Sequence, residues 1–143
     1  MNTESIMLLK ECNSGCKNAT DAMEQVLPFI KEQNLKKLVE DYNRKHINIG
    51  DECHEQLNRV DEDEKDPPKI TKAMAWIGTE IKLLIDDKSD KIAEILVDGC
   101  NMGIKSIAKF CNQYPNANSA AKDLAFELIS IEQDFMNELL AYL

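Results

Sequence analysis

The sequence predicts an all-α protein, a four-helix bundle made of two antiparallel helix hairpins, on three observations. Apolar residues recur at alternating spacings of three and four along four long stretches. Five glycines and four prolines in 143 residues are too few breakers for an all-β fold. At 16.2 kDa the chain has the length of one domain. Its 43% hydrophobic content supports a core without disulfides or a structural metal. Residues 1–143 are therefore expected to form a single domain, with a hairpin at 5–60, a crossover at 61–88 and a hairpin at 89–143.

The first helix is carried by Leu9, Cys12, Cys16, Ala19, Met23, Val26 and Ile30, an inward seam on one face. Pro28 and the polar EQN at 32–34 mark a break. The second helix repeats the spacing through Val39, Tyr42, His46, Ile49, Cys53 and Val60, and Leu35 and Leu57 widen its stripe. DEDEKDPP at 61–68, a charge run followed by two prolines, reads as a solvated loop. A shorter crossover helix is expected from Ile70 to Ile85. Its Ile70, Met74, Ile77, Ile81 and Leu84 share a stripe, but Trp76 and Leu83 fall off it. That second apolar face, centred on Trp76, predicts a homodimer through the crossover. Asp86, Asp87, Ser89 and Asp90 supply acidic and capping groups for the next helix. Ala93, Leu96, Cys100, Gly103, Ile107, Phe110 and Tyr114 form its seam. After the turn YPNANS at 114–119, the last helix carries Ala121, Leu124, Leu128, Ile131, Phe135, Leu139 and Tyr142.

The two hairpins look like copies of one another. CNSGCK at 12–17 matches CNMGIK at 100–105, and a shift of 86 aligns Lys36 with Lys122, Leu38 with Leu124 and His46 with Glu132. Two hairpins related by an approximate twofold, with one long connection, describe the ferritin-like variant of the four-helix bundle. The opening Cys-x-x-Gly at Cys12 to Gly15, AMAWIGTEIKLLIDDKSD at 73–90 and the following ILVDGCNMGIKSIAKF carry a wider likeness. Over residues 5–143 the chain resembles the bacterial ferritin-like four-helix-bundle proteins known only as a domain of unknown function. The resemblance implies the fold and a distant kinship to di-iron carboxylate proteins. It implies no activity.

A di-iron centre needs a Glu from each of two helices and a Glu-x-x-His from each of the other two. Here the candidates are Asn43-x-x-His46 and Ile129-x-x-Glu132, with Cys16 and Gly103 at the central inward positions of the other helices. That is one imidazole and one carboxylate, so no di-iron cofactor is expected. The same central positions suggest a smaller metal site. Cys16 should lie level with His46, and Cys100 level with Glu132, with Cys12 one turn from Cys16. Cys12, Cys16, His46, Cys100 and Glu132 could together hold tetrahedral zinc or iron. The simpler reading fills the core with the cysteines and hydrogen-bonds a neutral His46 to Glu132 or a backbone carbonyl. The five cysteines are an odd number on helical patterns, which suits a reducing compartment rather than a disulfide framework.

A formal charge of −9 argues against nucleic acid and against anionic membranes as partners. No signal-peptide core or apolar stretch of roughly 20 residues appears, so a cytoplasmic protein is expected. The residues show neither paired carboxylates on one face nor an activated nucleophile with its base. A non-catalytic binding or structural module is the first expectation. A transition-metal or thiol-redox stress protein built on the cysteine–histidine cluster is the alternative.

Overall fold

A computed structural model describes residues 1–63 and 89–143. They form four long helices: α1 (Thr3–Val26), α2 (Gln33–Asn58), α3 (Ser89–Gln113) and α4 (Ser119–Leu139). α1 pairs with α2, and α3 pairs with α4. Across the hairpins α1 lies against both α3 and α4, while α2 lies against α4. The expected crossover helix, with Trp76 and its dimer face, lies outside the described residues.

Each boundary has a local cause. Asn2 caps α1, its side-chain oxygen accepting the Ser5 N–H at 2.8 Å. Pro28, which has no N–H to donate, sits in the 3₁₀ turn Leu27–Phe29 that follows α1. Glu32 caps α2 by accepting from the Asn34 N–H. After α2 the backbone turns through Asp61 at φ 54°, in the left-handed region. Asn118 caps α4, accepting the Ala121 N–H at 2.9 Å.

The cap of α1 is also tied to the turn between α3 and α4. Asn2 Nδ2 donates to the Asn116 carbonyl at 2.8 Å, and the Asn116 N–H donates to Glu4 Oε2 at 2.7 Å. The Asn118 N–H donates to Ser5 Oγ at 2.7 Å. Polar side chains thus join the two hairpins at this end of the bundle.

The apolar interior falls into two clusters. Leu8, Leu9, Cys12, Ile49, Leu57, Ile107, Leu124 and Leu128 belong to the first. Met23, Val26, Leu35, Val39, Ile92, Leu96, Phe135 and Leu139 belong to the second, where the Phe135 ring stacks on Tyr42 at 4.6 Å. All four helices contribute to both. Between them, at mid-height, lie His46 and Glu132, both buried. The seams read from the sequence run along the buried faces, but Ile30, Val60, Tyr114 and Tyr142 lie past the helix ends, and one position shifts. On α4 the central inward place goes to Glu132, and neighbouring Ile131 is half-buried.

Candidate binding site at the bundle centre

His46 of α2 and Glu132 of α4 are one site because each completes the other. The ring Nδ1 of His46 lies 2.7 Å from the Tyr42 carbonyl oxygen. A carbonyl can only accept, so Nδ1 carries a hydrogen. The second ring nitrogen, Nε2, is hydrogen-bonded to Glu132 Oε1. One proton serves that contact. With the proton on either side, as imidazolium with carboxylate or imidazole with carboxylic acid, the pair is neutral overall. This is how a wholly buried ring and a carboxyl that is 6% exposed coexist in an apolar interior.

The helices leave deliberate space around the pair. A Cβ on Gly103 of α3 would stand 3.2 Å from Glu132 Oε2, so the missing side chain is what admits the carboxyl. A Cβ on Gly50 would meet Cys16 Cβ at 3.3 Å, which lets α1 and α2 approach closely. Gly99, also on α3, has nothing within 4 Å of a built Cβ. The open space beside it is a cleft of about 160 Å³ between α1 and α3. Small residues form its walls: Gly15, Ala19 and Ala22 on α1, and Gly99, Gly103 and Ser106 on α3. In both helices they stand at i, i+4 and i+7, one column on each face. Met102 and Ser106 are exposed at the mouth, and His46, Glu132, Cys100 and Phe135 form the buried floor. The side-chain oxygen of Asn18 on the α1 wall is buried and has no hydrogen-bond partner.

Of the five residues expected to gather around a metal, the structure brings three into contact. The Cys100 thiol hydrogen-bonds to Glu132, and Glu132 pairs with His46. Cys16 lines a second, shallower hollow between α1 and α2 beside His46. Cys12 is packed in the first apolar cluster with Cys53. Among the described residues, no group of three or more His, Cys, Asp or Glu is arranged to hold one metal ion. Burial pushes the thiols of Cys12, Cys16 and Cys100 far up, and neighbouring thiols or Glu132 push further. Burial likewise pushes Cys53 up to about 12. All four are thiols at neutral pH in the metal-free chain, so a metal bound to any of them would release its proton. The donors also do not fit a di-iron centre, because the described bundle centre holds one carboxylate and one imidazole where four and two are needed.

With four helices in two hairpins, the structure is similar to the crystal structure of a DUF305 fragment from Deinococcus radiodurans. The TM-score is 0.77 at 9% sequence identity, over 98% of this chain and 95% of that chain. The fold is an all-α four-helix bundle. No family model matches the sequence, and no curated protein matches it. No helix among the described residues is long and apolar enough to cross a membrane.

The cleft is the feature that sequence reading missed. Its walls are made of absent side chains, which leave gaps in an apolar pattern instead of marks. The signal was present as the two columns Gly15, Ala19, Ala22 and Gly99, Gly103, Ser106.

Proposed function

We propose that this chain is a non-catalytic binding module of ferritin-like connectivity whose site is the cleft between α1 and α3. The separation of α2 from α3 by residues 59–88 in the sequence, against the short connections within the hairpins, supports the ferritin-like assignment. One observation carries the binding role: a cleft walled by small side chains runs from the surface to a buried polar pair. A bundle that needed only stability would fill such a space, since interiors pack to crystal-like density. Its volume of about 160 Å³ is close to the roughly 150 Å³ cavity that accepts benzene in an engineered protein. The ligand is a small molecule with a compact apolar body.

Among the described residues at the cleft none activates a nucleophile, and the two groups of the floor pair are hydrogen-bonded to each other. The metal reading through Cys12, Cys16, His46, Cys100 and Glu132 has the contact of three of those residues behind it. Against it stands the scatter of the other two, since among the described residues no three such groups converge on one point.

The test is titration of the ¹⁵N-labelled chain with toluene. Saturable shifts confined to the amides of Gly15, Ala19, Ala22, Gly99 and Gly103 are expected. They should vanish in Gly99→Leu, whose side chain grows into open space and leaves the bundle folded. Scattered shifts, or none, would overturn the reading. So would stoichiometric zinc or iron in the purified protein that His46→Ala removes.

A further inference from the structure

Granting that the cleft takes a small molecule, as proposed above, its polar groups say which kind. We infer that the ligand is a small amine, bound as its ammonium form, with an apolar body no larger than a single ring.

Two side-chain oxygens beside the cleft, those of Asn18 and Glu132, are acceptors with room for a donor. Asn18 Oδ1 on the α1 wall is buried without a donor, and an unmatched buried acceptor costs about 1–3 kcal/mol. On the floor, Glu132 uses Oε1 for His46 and turns Oε2 to the space left by Gly103. The Cys100 thiol, a weak donor, reaches Glu132. Neither His46 nitrogen is spare: Nδ1 is held by the Tyr42 carbonyl and Nε2 by Glu132. A ligand bringing another acceptor would leave Asn18 unsatisfied and face a carboxyl. A ligand bringing N–H donors suits either oxygen.

Charge points the same way. The chain carries a formal −9, and among the described residues neither Lys nor Arg lines the cleft. An ammonium is therefore attracted at long range. The pair at the floor offers it Glu132 Oε2 as a hydrogen-bond acceptor at short range. The rest of the ligand meets Met23, Leu96, Ile107 and Phe135, which are apolar. Phe135 adds a ring at the floor, suited to a neighbouring cation or an aromatic body.

Three probes of nearly equal shape separate the terms: toluene, benzyl alcohol and benzylamine, titrated by calorimetry and ¹⁵N shifts at neutral pH. Benzylamine is expected to bind at least ten-fold tighter than toluene, with benzyl alcohol between them. Glu132→Gln should remove most of that advantage while leaving toluene binding in place. Asn18→Ala, on a half-buried residue, should lower it several-fold with the fold intact by circular dichroism. Equal affinities for toluene and benzylamine would overturn the amine inference and leave the small-molecule reading standing. So would a benzylamine preference that persists in both variants. Failure of all three probes to bind, with Gly99→Leu indistinguishable from the parent, would overturn both.

Discussion

His46 and Glu132 satisfy one another, so neither can be removed alone without leaving the other buried and unmatched. His46→Ala and Glu132→Ala are each expected to lower unfolding free energy by about 3 kcal/mol, read from urea midpoints. Replacing both by leucine should recover most of that loss, since a well-packed apolar pair of similar volume has no charge to desolvate. If the single variants were as stable as the parent, the pair would not be buried as described. The thiols make a second prediction at this scale. In the unfolded chain a cysteine ionises near pH 8.5, whereas Cys12, Cys16, Cys53 and Cys100 stay protonated in the folded state well above that. The unfolded state therefore binds fewer protons above that pH, and stability must fall as pH rises. The slope is about 1.4 kcal/mol per pH unit for each ionising thiol. Urea midpoints at pH 7, 9 and 10 would show full stability at the first and a decline to the last. A flat profile would mean that the thiols are exposed. Half-buried Cys111 should be the first to react with a thiol reagent under native conditions, and the other four only on unfolding.

Within helix α3, two glycines four residues apart should respond in opposite directions to the same change. Alanine exceeds glycine in helix propensity by about 1 kcal/mol, and neither Gly99 nor Gly103 has a positive φ. At Gly99 a methyl meets nothing within 4 Å, so Gly99→Ala should raise the melting temperature. At Gly103 the methyl presses on Glu132 Oε2 at 3.2 Å. That carboxyl cannot give way without losing His46, so Gly103→Ala should lower it. Two stabilising substitutions would show that Glu132 is free to move. The helices themselves were legible because burial imposes a period on side chains. Leu9, Cys12, Cys16, Met23, Val26 and Ile30 all went inward as their spacing required. The cleft was not, because periodicity reports what a helix buries and is silent about what it leaves out. Likewise, spacing placed Glu132 and Ile131 almost equally well at the centre of α4. Only the position of His46 on the opposite helix decided between them.

At the scale of the molecule, two apolar clusters lie on either side of a polar layer, yet no helix belongs to one cluster alone. Losing either cluster would strip half of every helix of its packing, and helices of this length are marginal without it. Unfolding should therefore be a single transition in calorimetry, with van't Hoff and calorimetric enthalpies equal. Two resolved transitions would show that the layer insulates the halves. Phe135→Ala, in the second cluster and stacked on Tyr42, should lower the whole transition by about 3–5 kcal/mol and not split it. The bundle and its hairpins were readable from sequence, since one long connection between similar halves restricts the topology. The crossover and its Trp76 face lie outside the described residues.

His46 and Glu132 stand 86 residues apart, the shift that aligns α2 with α4 in the internal repeat. A residue on a twofold axis meets its own copy. Had a duplicated hairpin kept one identity at this place, histidine would face histidine or glutamate would face glutamate. Two buried carboxyls repel unless they share a proton, and two imidazoles tethered through Nδ1 would each offer the same lone pair. A duplicated hairpin would thus carry a position that inheritance alone cannot satisfy. One substitution in one copy would turn it into a matched donor and acceptor. Two halves copied from one hairpin would have to differ at this point in order to stay joined there.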